Sequence, residues 1–130
     1  MMELLVRAFR ILPGREDQMR QFARDLQTSR AVEAAEFYGR MGIAHESWHE
    51  QQQPDGLWVI AVTQFSGKPM QVAAQDYATS KHDFDRWFKE SVMLVTGVNP
   101  DTTPLGPPTN CVFHTHGSQG LQVPSPSRAG

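Results

Sequence analysis

The sequence predicts an α+β fold built on an antiparallel sheet. Two strand-like runs, residues 3–12 and 57–65, are rich in β-branched and aromatic residues. Apolar residues at helical spacing form stripes between and after these runs. The turn sequence QQPDG at 52–56 joins two strand-like runs directly, as in a β-hairpin. Together these patterns favour a sheet with helices in the connections.

The first half of the chain predicts a strand, a helix and a hairpin. Residues 3–12 predict a strand with apolar residues on both faces, and Arg7 lies among those of one face. The turn PGRED at 13–17 opens a helix with acidic residues in its first turn. Helical signal continues, with a bend near Thr28, until Gly42 ends it. Two strands follow, at residues 43–51 and 57–65.

The second half predicts two helical stretches and a last strand. The short stretch MQVAAQDYA precedes a longer helix, which begins at a sequence resembling a capping box, Ser80-x-x-Asp83. The longer helix has one apolar face, formed by Phe84, Trp87, Phe88, Val92 and Val95. A loop rich in Pro and Gly, NPDTTPLGPP, leads to a short fourth strand, CVFHTH. The resulting βαββαβ order is that of a ferredoxin-like sheet with helices on one face.

The other face of that sheet is also apolar, so it must be buried against another surface. Because the first and third strands are apolar on both sides, a single copy leaves an apolar patch in water, and such patches mark association sites. We therefore expect a homodimer, sheet against sheet, with residues 1–117 as its one domain. Residues 118–130 lack periodicity and apolar mass, which predicts a flexible tail.

Composition narrows the function classes. The 130 residues carry a net charge of -2 and no basic patch, so nucleic acid is not an expected partner. The apolar runs are too short to span a membrane, and the N-terminus lacks a signal-peptide pattern. The single cysteine, Cys111, fits a cytoplasmic protein. Phosphate-binding glycine loops, dinucleotide fingerprints and nucleophile elbows are absent from the sequence, so no cofactor is expected.

Three segments resemble a known superfamily. They are the LPG turn at 12–14, the hairpin ESWHEQQQPDGLWVIAV at 46–62, and SKHDFDRWFKE running to TGVNP at 80–100. Over residues 3–116 the chain resembles the dimeric α+β barrel superfamily, which includes antibiotic-biosynthesis monooxygenases and stress-responsive barrel proteins. More closely, it is similar to an uncharacterised bacterial family of this fold. The resemblance implies a homodimer with a pocket between sheet and helices or within the barrel. It supplies no catalytic residues to transfer.

The second strand carries the first candidate site. One face bears His45, Ser47 and His49, and the other bears Glu46 and Trp48. If Trp48 lies under the helices, the histidines face the space between two sheets, where a neutral histidine can remove a proton. In the opposite arrangement Glu46 enters that space. A third interpretation is an outer strand that simply faces solvent.

The catalytic hypothesis takes His45 as base, with His49 and Arg7 as polar partners. Arg7 lies on an otherwise apolar strand face, so it requires either a protein glutamate or an anionic substrate. The candidate substrate-binding residues are Ser47, Tyr77, His82 and His114. His114 and His116 have a spacing that metal sites use, but no acidic residue lies near them, so no metal is expected.

The resemblance to the dimeric α+β barrel superfamily implies a small-molecule-binding protein. In its catalytic form it is a cofactor-independent monooxygenase, isomerase or cyclase, acting on a small apolar or enolisable substrate by histidine acid/base chemistry. One alternative is a non-catalytic ligand-binding or stress-related protein. The other is a structural dimer without a pocket.

Overall fold

An α+β fold is present in the computed structural model, which describes residues 3–115 and 117. Within these residues a three-stranded antiparallel sheet is combined with four helices. The first helical stretch is interrupted near Thr28, where the sequence predicts a bend, and it therefore consists of two helices. In order the elements are β1 (Glu3–Arg10), α1 (Glu16–Gln27), α2 (Ala31–Arg40), β2 (Ile43–Gln53), β3 (Gly56–Phe65), α3 (Met70–Thr79) and α4 (Asp83–Thr96).

The sheet has the order β1-β3-β2, with β3 in the centre. Its register places Arg7 opposite Ala61, and Ala61 opposite Trp48. Because side chains alternate along a strand, aligned residues share one face of the sheet. We call the face of Arg7, Ala61 and Trp48 the inner face, and the face of Ala8, Ile60 and His49 the outer face.

The helices pack on the inner face, where aromatic rings form the core. The ring centroid of Phe88 on α4 lies 4.7 Å from the ring centroid of Phe37 on α2 and 5.2 Å from that of Phe22 on α1. Phe22 in turn lies 5.3 Å from Trp48, which joins β2 to the helices. The indole therefore lies under the helices, as the first of the alternative arrangements requires.

The start of α4 differs from the prediction. Its N-cap is His82, whose Nδ1 accepts a hydrogen bond from the Phe84 N–H at 3.3 Å. The hydroxyl of Ser80 instead donates to Asp85, which is fully buried. The predicted capping box is therefore wrong by two residues, and the Ser80 oxygen accepts from the His82 N–H at 3.3 Å ahead of the helix.

The predicted fourth strand does not form in residues 110–115, and His116 lies outside the described residues. The preceding loop lies against β1 instead. The Thr109 hydroxyl donates to the Val6 carbonyl at 2.6 Å, and a Cβ on Gly106 would come within 2.4 Å of the Ala8 carbonyl oxygen. Three prolines in this loop, at 104, 107 and 108, have no N–H to donate to a ladder. Contact with β1 is therefore made without strand pairing.

Two further expectations concern chain ends and membranes. The predicted tail, residues 118–130, lies outside the described residues. In the described part of the chain, no helix combines the length and apolar character that a bilayer span needs.

Candidate functional site

A cavity of about 490 Å³ lies between the inner face and the helices. Its walls are mainly aromatic and aliphatic, with contributions from Phe9, Phe22, Phe37, Trp48, Val59 and Phe88. A few polar side chains also line it, among them Arg7, Tyr38, Glu46, Thr63 and Tyr77. This composition is typical of sites for small organic molecules.

The loop after α4 closes one side of the cavity, through Pro100 and residues 102–105. Lys89 on α4 holds this loop, because its Nζ lies 2.8 Å from the Asp101 carboxylate. The same ammonium donates to the carbonyls of Tyr77 and Ser80 at 3.0 and 3.1 Å. One buried lysine thus fixes both the loop and the end of α3.

Glu46 of β2 is the centre of a hydrogen-bond cluster on the cavity wall. Its Oε2 accepts from the Tyr38 hydroxyl and the Trp48 indole N–H, each at 2.9 Å. Its Oε1 accepts from the Thr63 hydroxyl at 2.9 Å. Three neutral donors therefore surround the carboxyl, and it forms no ion pair with the described residues.

Desolvation raises the pKa of Glu46, and the hydrogen bonds from Trp48, Thr63 and Tyr38 offset it only in part. Desolvation and the neighbouring Glu46 also raise the pKa of Tyr38. The carboxyl therefore keeps its proton to higher pH than an exposed glutamate does. Such a group can give a proton to a bound molecule or take one from it.

The pKa of Asp85 is shifted in the opposite direction from that of Glu46. Its carboxylate is fully buried and accepts two hydrogen bonds from Arg40, both at 2.8 Å. Burial acts to raise the pKa of Asp85, but hydrogen bonds from Arg40 and Ser80 and the charge of Arg40 outweigh it, so the pKa falls. This carboxylate ties α2 to α4 and does not line the cavity.

Arg7 reaches the same cavity from β1. Its strand position is two strands away from β2, or about 10 Å across the sheet. Nη1 of Arg7 donates to the Val6 carbonyl at 3.3 Å. The expected pairing with a glutamate is absent among residues 3–115, where Arg7 forms no ion pair.

The histidines lie on the other side of the sheet. His45 and His49 are exposed on the outer face, and the Ser47 hydroxyl lies 2.9 Å from His49 Nε2. Since alternation sends Arg7 to the inner face, the structure does not bring it together with His45 and His49. Their proposed catalytic roles stay a prediction.

Of the four candidate substrate-binding residues, Tyr77 lines the cavity and the others do not. His82 caps α4, with Nδ1 at 3.9 Å from Asp85, and Ser47 lies beside His49. His114 is exposed. In the described part of the chain, no three or more His, Cys, Asp or Glu residues are grouped as metal ligands.

Sequence reasoning placed Glu46 in the space between two sheets as an alternative, but not under the helices. The signal was present, because Glu46 alternates with Trp48 on one strand face. A carboxyl that shares a face with a core indole must be desolvated with it. What the sequence lacked was the identity of its three donors, which come from α2, β2 and β3.

The chain was compared with models of protein families and with curated proteins. No family model and no curated protein matches it.

Proposed function

We propose that the protein binds a small, mostly apolar molecule in the inner cavity, with Glu46 as the group that exchanges a proton or a hydrogen bond with it. The cavity volume of about 490 Å³ lies within the range of about 300–1,000 Å³ that such sites occupy. Its walls supply apolar contact, and its few polar groups supply orientation.

The Glu46 cluster carries this proposal. A desolvated carboxyl without a cation costs stability, because burial disfavours its charged form and the surrounding hydrogen bonds offset that cost only in part. The carboxyl nevertheless lies on a cavity wall, with Tyr38 and Thr63 holding its orientation. A role toward a bound molecule accounts for that placement.

In the catalytic form of the proposal, the bound molecule is enolisable. Glu46 takes a proton from the carbon beside a carbonyl, the C–H electron pair forms an enolate, and a tyrosine hydroxyl donates a hydrogen bond to its oxygen. Tyr77 lines the cavity and is the candidate donor, because the Tyr38 hydroxyl already donates its proton to Glu46. Return of the proton to a different carbon completes an isomerisation without a cofactor. The alternative is a binding protein that uses the same cavity without chemistry.

The proposal includes a homodimer joined through the outer faces. Six apolar side chains support it, since they lie on the face without helices: Leu4, Val6, Ala8, Trp58, Ile60 and Val62. Pairing of two such faces would remove this surface from water. It also agrees with the resemblance to the dimeric α+β barrel superfamily.

A cavity-filling variant tests the binding proposal. The probe is 2-naphthalenemethanol, a neutral two-ring alcohol, and its binding is followed by titration calorimetry. Ala61→Phe places a ring in the cavity, so we expect affinity to fall by about tenfold or more. The matched control is Ala44→Phe, the same change at an exposed position of β2, which should leave affinity unchanged.

Two results would contradict the proposal. One is the absence of saturable binding of the probe to the unmodified protein. The other is an equal affinity of the unmodified protein and a folded Ala61→Phe variant, which would put the probe outside the cavity.

A further inference from the structure

We infer that the ligand of the inner cavity is an organic anion, in which a carboxylate binds the guanidinium of Arg7 and an apolar body extends toward Glu46. This inference rests on the proposed function and adds the chemical class of the ligand. Three features support it: Arg7 has no ion-pair partner among the described residues, the oxygens of Glu46 are already hydrogen-bonded, and the two residues lie far apart on the sheet.

Arg7 differs from the arginines that form ion pairs. Arg20, Arg30 and Arg40 each lie 2.8 Å from a carboxylate, those of Glu50, Glu33 and Asp85 respectively. The Arg7 side chain donates a hydrogen bond at 3.3 Å to the adjacent carbonyl of Val6, and it forms no ion pair within residues 3–115. A guanidinium has five N–H donors, so most of them remain for a ligand or water.

The surroundings of Arg7 favour an anion. On its own strand it is flanked on the same face by Leu5 and Phe9, and across the sheet it faces Ala61. A cation among apolar groups is costly unless an anion and hydrogen bonds compensate for it. The planar guanidinium can donate two parallel hydrogen bonds to the two oxygens of a carboxylate, so this group suits the position.

Glu46 does not supply this anion. It lies two strands across the sheet from Arg7 and two residues along, so their backbone positions are about 12 Å apart. Its two oxygens are already bound by Tyr38, Trp48 and Thr63. The cavity therefore has a cation at the β1 side and a hydrogen-bonded carboxyl at the β2 side, with apolar walls between them.

A matched pair of probes tests the inference. The probes are 2-naphthoate and 2-naphthalenemethanol, which share a ring system and differ in charge. We expect the unmodified protein to bind 2-naphthoate about 10- to 100-fold more tightly, because a charge-assisted hydrogen bond adds to the same apolar contact. Arg7→Met should remove this preference and leave the affinity for the alcohol within about twofold.

The control is Arg10→Met, which removes the same charge from an exposed position on the same strand. It should keep the preference for 2-naphthoate. A second variant, Arg7→Lys, decides the matter if Arg7→Met does not fold. It keeps the charge but loses the two-pronged geometry, so 2-naphthoate should bind several-fold more weakly while the alcohol does not.

The outcomes of these experiments distinguish a failure of the anion inference from a failure of the proposed binding function. Equal affinities for both probes, each lost in Ala61→Phe, would overturn the anion inference and leave the cavity as a binding site. An equal loss of 2-naphthoate affinity in Arg10→Met and Arg7→Met would also overturn it, since general surface charge would then be the cause. Failure of both probes to bind would overturn the proposed function itself.

Discussion

The two faces of the sheet use the same three strands for different purposes. The inner face puts Arg7 and Glu46 among apolar walls, whereas the outer face puts His45 and His49 in solvent beside an apolar stripe. Histidine is the usual proton carrier near neutral pH, which makes the outer face attractive from sequence alone. Our proposal places the site on the inner face instead, because that face lines the cavity and desolvation there raises the pKa of Glu46.

The largest expected effect comes from placing one charge on either face. Val59 is 1% exposed on the inner face, and its sequence neighbour Ile60 is half-buried on the outer face. Val59→Asp should lower the free energy of unfolding by about 4 kcal/mol, because it buries a carboxylate without a partner. Ile60→Asp should cost about 1 kcal/mol in the isolated chain, mainly through lost strand propensity. Urea denaturation measures both.

The same pair of variants tests the dimer. If the outer faces pair, the unmodified protein has twice the 14.6 kDa mass of one chain in light scattering, and Ile60→Asp reduces it to one chain. A mass of one chain for the unmodified protein at micromolar concentration would contradict the dimer. A loss of only about 1 kcal/mol in Val59→Asp would contradict its place on the buried inner face.

A smaller effect is the pH dependence of stability, which should have opposite signs at two carboxyls. The folded pKa of Glu46 is raised, so above about 4.5 the folded chain holds a proton that the unfolded chain has lost. Stability relative to Glu46→Gln should therefore fall as pH rises from there, by up to about 1.4 kcal/mol per pH unit until the folded pKa is reached.

For Asp85 the folded pKa is lowered, so the sign is reversed. Stability relative to Asp85→Asn should be fully present above about pH 3.8 and be lost as the pH falls below it. Thermal unfolding from pH 3 to 8 gives both slopes. A Glu46 slope of the same sign as that of Asp85 would mean that the three neutral donors outweigh desolvation at Glu46.

The smallest effect is expected at the outer-face histidines. His45→Ala should leave the affinity for 2-naphthoate within about twofold, because His45 is exposed and does not line the cavity. Glu46→Gln serves as the comparison, since it alters the cavity wall itself. A tenfold loss of affinity in His45→Ala would instead place the binding site on the outer face. It would then support the hypothesis that His45 acts as a base.

Local patterns predicted much of this fold. The α+β class, the hairpin turn before Gly56 and the apolar face of α4 follow from periodicity and turn chemistry. Arg7 was also recognised, because a charge on an apolar strand face stands out in any register. Only the register, however, puts Arg7 and Glu46 on one face.

The two misses have different ranges along the chain. CVFHTH has strand-forming residues, but the loop before it contacts β1, about 100 residues away in sequence. That contact is not visible in a short window of sequence. At the start of α4 the difference is local, because the N-cap lies two residues after Ser80, whose hydroxyl donates to Asp85 five residues further along.

The contact between the Pro-rich loop and β1 also bears on aggregation. An uncovered edge strand is a template on which another chain can add a strand, and this is how many sheets begin to grow into fibres. Here residues 104–109 lie against that edge and include three prolines, which interrupt any ladder. Their close approach depends on Gly106, where any side chain would strike the Ala8 carbonyl. In place of a fourth strand, the molecule thus has a boundary that resists further growth of the sheet.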